Sequence, residues 1–189
     1  MNEYRFITHW RVEGTVDEVY DIIEDVTSLT RWWPSVYLDA AVIDPGDERG
    51  VGKTVNLYTK GWLPYTLRWQ LRVSETNRPY GSTIEATGDL TGRGVWSFQQ
   101  DGPMVSVTYH WRVAADKPLL RYLSFILKPL FSANHRWAMA RGEESLKLEL
   151  ARRRAASRED ATRVAAPPGP TFPHNRRYRQ LPHDVGTGR

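Results

Sequence analysis

Apolar and polar residues alternate from Tyr4 to Val12, with Tyr4, Phe6, Thr8, Trp10 and Val12 on one face and Arg5, Ile7, His9 and Arg11 on the other. A period of two predicts a half-buried strand, and Gly14 ends it. Thr15 with Glu18 three residues later is the signature of a capping box, and Val16, Val19, Tyr20, Ile22 and Ile23 recur at helical spacing, so a first helix is expected over 16–25. Thr27 or Ser28 caps a short second turn from Leu29 to Trp33. Pro34 stops it, because the residue before a proline is pushed out of the α region.

Six more strand patterns follow, over about 36–43, 52–60, 66–75, 82–88, 93–100 and 104–114. The segments between them, Asp44-Pro45-Gly46-Asp47, Asn77-Arg78-Pro79-Tyr80-Gly81, Gly88-Asp89-Leu90-Thr91-Gly92 and Gln100-Asp101-Gly102-Pro103, are turns by composition. They are too short for helical crossovers, which predicts an antiparallel meander of about seven strands, counting the first. Helical pattern resumes at Pro118 and runs to about Arg153, with Pro129 either kinking it or opening a second segment. Within it Phe131, His135, Ala138, Met139, Gly142, Leu146 and Leu150 form the sheet-facing stripe, and Gly142 lets helix and sheet approach closely. The fold class is therefore α+β, a curved sheet wrapped on one long helix.

Beyond Arg158 the apolar periodicity stops and prolines accumulate. Residues 159–189 are expected to be a disordered basic tail, leaving 1–158 as the folded domain. Charge follows the same division. The stretch 152–189 holds nine Arg against three acids, and since the whole chain is +4, residues 1–151 are net −2. A mildly acidic body argues against electrostatic nucleic-acid binding. The chain has no cysteine, which removes disulfides, thiolate metal sites and cysteine nucleophiles. With no charged-then-apolar leader and no apolar run of roughly 18 residues, a cytoplasmic location is expected.

Several patterns point toward chemistry. Arg49-Gly50-Val51-Gly52-Lys53-Thr54 resembles a phosphate loop only in part, since Asp47 stands where the leading glycine belongs and strand rather than helix pattern follows; it is read as a glycine-rich turn. No two histidines fall at metal-ligand spacing, so neither a metal nor another cofactor is expected. No nucleophile is accompanied by a base and an orienting acid. The inward phases of the strands carry Trp69, Trp96, Tyr109 and Trp111, opposite small residues such as Ala86 and Gly88. Such a set fills a core or walls a cavity, and spacing alone leaves both open. Trp32-Trp33-Pro34 and Lys60-Gly61-Trp62-Leu63-Pro64-Tyr65 either rim a pocket mouth or anchor their loops.

This order of elements resembles the START-like superfamily, also called SRPBCC, and more narrowly its polyketide cyclase/dehydrase-type members. The residues that carry the likeness are Val12-Glu13-Gly14-Thr15-Val16-Asp17-Glu18-Val19-Tyr20, Asp25, Trp32-Trp33-Pro34, Gly50-Val51-Gly52, Gly88 to Gly92 through Trp96, and Asn134-His135 through Met139-Ala140-Arg141-Gly142. The resemblance covers about 1–153. It implies a helix-grip fold whose cavity holds lipids, sterols, polyketides or other apolar molecules, and no catalytic motif can be carried over from it.

Candidate ligand contacts are Trp33, Trp62, Trp69, Trp96, Tyr109, Trp111, Asn134, His135 and Met139. The first function to consider is non-catalytic binding, transport or sensing of a hydrophobic small molecule. Its rival is a polyketide cyclase, aromatase or dehydratase, in which His135, Tyr109 and Arg68 would shuttle protons. A third reading is a lipid shuttle whose Trp32, Trp33 and Trp62 touch a bilayer; the tail's charges, dispersed among prolines, argue against it.

Overall fold

A computed structural model describes residues 3–115 and 118–172, with side chains over 3–114 and 129–172. Strand β1 (Glu3–Glu13) leads into α1 (Val16–Glu24), a 3₁₀ turn (Val26–Ser28) and α2 (Leu29–Trp32). The meander follows as β2 (Tyr37–Asp44), β3 (Thr54–Lys60), β4 (Thr66–Asn77), β5 (Gly81–Gly88), β6 (Leu90–Asp101) and β7 (Met104–Ala115). Then come α3 (Pro118–Arg153) and α4 (Arg158–Arg163). The strands form one antiparallel sheet in the order β1-β7-β6-β5-β4-β3-β2. The first strand thus closes against the last, and α1 with α2 carries the chain to the opposite edge. Among the described residues, no helix is long and apolar enough to cross a membrane.

Local chemistry explains the first helix. The Thr15 side chain accepts from the Glu18 N–H while Glu18 reaches back to the Thr15 N–H at 2.9 Å, completing the expected capping box. Gln100 locks the same corner to the sheet, accepting from the Val16 N–H at 3.0 Å and donating to the Gly14 carbonyl at 2.8 Å. The glycine-rich segment at 46–52 is a turn, in which the Asp47 carboxylate accepts from the N–H groups of Arg49 and Val51, both at 2.9 Å.

Three expectations change. The segment Gly88–Gly92 is not wholly a turn: β6 starts at Leu90, and Gly92 pairs with Val113. A Cβ on Gly92 would strike the Arg112 carbonyl, so this glycine marks close backbone approach inside the sheet. Pro129 does not divide the late helix, which runs as one element from Pro118 to Arg153. The tail departs from the disorder expected of it over 159–172. Ser157 caps α4 by accepting from the Asp160 N–H at 3.0 Å, and Arg152 donates to the Ala165 carbonyl at 3.0 Å. Pro170 is buried, Thr171 donates to the Gly61 carbonyl at 3.4 Å, and the Phe172 ring lies against Lys60. Few apolar residues suffice because the capping side chain and the domain surface satisfy the segment's polar groups. The rest of the expected tail, 173–189, lies outside the described residues.

The C-terminal part of α3 packs densely. Gly142 is buried under the Trp33 indole, which a Cβ would overlap, so the close approach expected there is to α2's end and not to the sheet. Leu146 and Leu150 continue the contact into the core with Val12, Val19 and Ile22. Glu149, 1 % exposed, receives Arg31 through two bonds of 2.8 Å and both Arg152 and Arg153 at 2.9 Å. Burial pushes the Glu149 carboxyl up, but these arginines outweigh it and hold its pKa below the usual value.

Candidate functional site

Toward the start of its described side chains, α3 stands off from the sheet and leaves a pocket of about 170 Å³. The pocket is built from alternate, inward-facing positions along several strands: Tyr4 and Phe6 on β1, Leu67 and Trp69 on β4, Tyr109, Trp111 and Val113 on β7. The helix contributes Phe131, Asn134, His135, Ala138 and Met139, spaced at one face, and Trp33 with Tyr37 closes the side nearest α2. Aromatic rings dominate the wall. Trp69 and Trp111 lie 6.1 Å apart, Tyr109 stacks on Trp111 at 5.8 Å, and the His135 ring stacks on Phe6 at 4.0 Å.

Polar groups are few, and their environment favours uncharged forms. Burial lowers the His135 pKa to about 4, with nearby Arg136 adding to the effect, so the imidazole is neutral at physiological pH. Its Nε2 is buried without a hydrogen-bond partner. Burial likewise pushes Tyr65 up to about 12 and Tyr109 well above its usual value. Asn134 has a different task. Its Oδ1 accepts from the Leu63 N–H at 3.2 Å and its Nδ2 donates to the Tyr65 hydroxyl at 3.5 Å, so it pins the 61–65 loop to α3. Gly61 lies so close to this amide that a Cβ would overlap it. The Trp69 indole N–H is satisfied by Thr59 Oγ1 at 3.0 Å. Among the described residues, no group of three or more His, Asp or Glu could hold a metal ion.

Of the residues expected from sequence, Trp33, Trp69, Tyr109, Trp111, Asn134, His135 and Met139 line this pocket. Three do not. Trp96 is half-buried and packs against the core, stacked on Tyr109 at 3.9 Å with Trp10 5.5 Å away. Trp62 is half-buried in the β3–β4 loop. Arg68 is exposed on the outer sheet face, over the Tyr58 ring at 4.4 Å, since it alternates with inward Leu67 and Trp69. Trp32 and Trp33 are buried here, at 1 % and 4 % exposed.

Tyr37, Thr59 and Lys60 were missed. Tyr37 and Thr59 lie on strands whose inward phase sequence could have assigned. Lys60 could not have been found that way, because it sits on the outer phase of β3 and is buried by Phe172, more than a hundred residues along.

The fold and pocket can be set beside known proteins. Zhui aromatase/cyclase from Streptomyces sp. R1128 superposes with a TM-score of 0.67 at 13% identity, covering 82% of this chain and 97% of that one. A protein from Thermus thermophilus gives 0.62 at 15% identity, covering 76% and 97%. Norcoclaurine synthase from Thalictrum flavum, a point mutant in complex with a transition-state analogue, gives 0.56 at 14% identity, covering 78% and 95%. At these identities the likeness shows a shared fold. No curated protein matches the sequence. Residues 7–151 match the family described as polyketide cyclase / dehydrase and lipid transport, which takes in β1 from Ile7, the other six strands and nearly all of α3. The chain belongs to that family.

Proposed function

We propose that this protein binds a hydrophobic small molecule, such as a lipid or a polyketide, in the pocket between α3 and the sheet, and that it transports or senses the molecule without transforming it. The observation that carries the reading is the wall itself: aromatic and aliphatic side chains surround the space, and among the described residues no nucleophile, base and orienting acid come together there. At about 170 Å³ the pocket is smaller than the roughly 300–1,000 Å³ of drug-sized sites, so a larger ligand must displace a wall element such as Trp33 or the 61–65 loop. A cytoplasmic location is consistent with the absence of cysteine.

One feature favours a second reading, an aromatase/cyclase. His135 lines the pocket with an unpartnered Nε2, a group able to hydrogen-bond or exchange a proton with a folded polyketide, though its lowered pKa makes it a weak base until a ligand's polar group raises it. The fold it shares with Zhui aromatase/cyclase is compatible with that chemistry. Native mass spectrometry of protein purified from its own host tests the first reading by detecting a retained apolar ligand. A confirmed ligand that His135→Ala and Trp69→Ala bind as the parent does would place the site elsewhere. If His135→Ala abolishes turnover of a polyketide while binding survives, the enzyme reading replaces the carrier.

A further inference from the structure

The family match ends at residue 151, yet contact with the domain continues to Phe172. Arg152, in the last turn of α3, donates to the Ala165 carbonyl at 3.0 Å and so fixes the segment just after α4. From there Pro167, Pro168 and Pro170 keep the backbone extended and stiff, and Pro170 is buried. The segment then reaches the end of β3. Thr171 Oγ1 donates to the Gly61 carbonyl at 3.4 Å, and the Phe172 ring centroid lies 4.3 Å from Lys60 Nζ.

Lys60 and Gly61 belong to the pocket wall, and that wall is held from two sides. From within, Asn134 on α3 fits against Gly61, accepts from the Leu63 N–H and donates to the Tyr65 hydroxyl. From without, Phe172 covers the Lys60 side chain, which has the outer phase of β3, opposite to inward Leu57 and Thr59. A wall gripped on its inner face alone could swing outward. Gripped on both faces it stays in place, and the space of about 170 Å³ stays small.

We propose that residues 165–172 form a strap that sets the size limit of the pocket. This inference rests on the proposed reading of the pocket as a hydrophobic small-molecule site, and it names which molecules that site takes. With the strap docked, the 60–65 wall does not retreat and compact apolar molecules of one or two rings are accepted; a longer molecule enters only when Thr171 and Phe172 let go. Neither the long hydrogen bond nor the cation–π contact is strong, so a ligand can compete with them. A ligand that needs the released state is weakened by the scarcity of that state, so loosening the strap strengthens its binding and leaves a small ligand unaffected.

The test is fluorescence titration of the full chain with three neutral probes of rising size, 2-naphthol, N-phenyl-1-naphthylamine and Nile red. Thr171→Val combined with Phe172→Ser removes both wall contacts without altering the pocket lining. This double variant should bind at least one of the two larger probes about fivefold more tightly than the parent does, and 2-naphthol within about twofold. Phe172→Tyr, which keeps the ring, should bind all three as the parent does. If 2-naphthol binds saturably but neither larger probe gains in the double variant, or if all three gain alike, the strap sets no size limit. A Phe172→Tyr variant that gains as much as the double variant also overturns it. Absence of saturable binding by every probe overturns the small-molecule reading of the pocket, and this inference with it.

Discussion

Ala138 and Gly142 sit one turn apart on the same face of α3, yet one borders empty space and the other is pressed beneath Trp33. The helix is continuous across both positions, so secondary structure does not set the difference. Side-chain size and anchoring set it. At the packed end a missing Cβ admits an indole, and Glu149 gathers three arginines from α2 and α3. At the hollow end the rings of Phe6, Trp69, Tyr109 and Trp111 stack along the wall and leave the space beside them unfilled. A helix-grip sheet can therefore be rigid at one end and receptive at the other.

The sharpest way to break this contrast is to add the same side chain at both positions. Gly142→Leu should cost about 3 kcal/mol or more, because the Trp33 ring cannot yield without disturbing α2, and thermal unfolding should fall by about 6–12 °C. Ala138→Leu fills space that is already present. Its stability should stay within about 1 kcal/mol of the parent while ligand affinity drops at least tenfold. Equal destabilisation by both substitutions in thermal melts would mean that the two ends do not differ.

Removing the packed end's anion comes next. Glu149→Ala leaves Arg31, Arg152 and Arg153 facing one another, and a loss of about 3 kcal/mol is expected in denaturant titration; part of the usual penalty is relieved because Arg31 reaches solvent. A loss under about 1 kcal/mol would show the cluster to be a surface network.

Acid should separate the ends in order. His135 has a folded pKa of about 4 against about 6.5 in the unfolded chain, so between these values the unfolded state binds more protons and stability falls as pH falls. The expected loss is about 2–3 kcal/mol, and His135→Leu should flatten the slope in that window. Glu149 acts lower. Its carboxyl is depressed in the folded state, so its contribution persists above the unfolded value of about 4.3 and disappears only below it. A His135→Leu variant whose stability still falls between pH 6.5 and 4.5 as the parent's does would place the acid-sensitive group elsewhere.

The smallest effect is expected from truncation after Pro168, which removes the contacts of Thr171 and Phe172 with Gly61 and Lys60. One long hydrogen bond and one cation–π contact are worth about 1 kcal/mol together, or about 2–4 °C in thermal unfolding. No shift at all would mean that the segment does not hold to the domain in solution.

Much of this was legible in the residue pattern. Period-two alternation placed the seven strands, Thr15 and Glu18 placed the first cap, and the stripe on α3 named His135 and Met139, which line the pocket, and a close approach at Gly142, though its partner is Trp33 and not the sheet. What sequence could not supply depends on which neighbour arrives. Trp96 is inward as its phase requires, but it stacks on Tyr109 and packs against the core instead of lining the space. Arg68 kept the outer phase its alternation with Leu67 and Trp69 assigns it. Lys60 is buried by a residue from the far end of the chain, and no local period carries that information.

Trp33 belongs to both ends: it lines the pocket beside Tyr37 and covers Gly142. A molecule that pushes this indole aside must at the same moment strain the helix contact behind it, so occupancy of the cavity is transmitted mechanically to α2 and the last turns of α3. We expect ligand to change amide hydrogen exchange around 142–150 as well as around 131–139. Protection confined to 131–139 would show that the indole absorbs the ligand without passing the signal on.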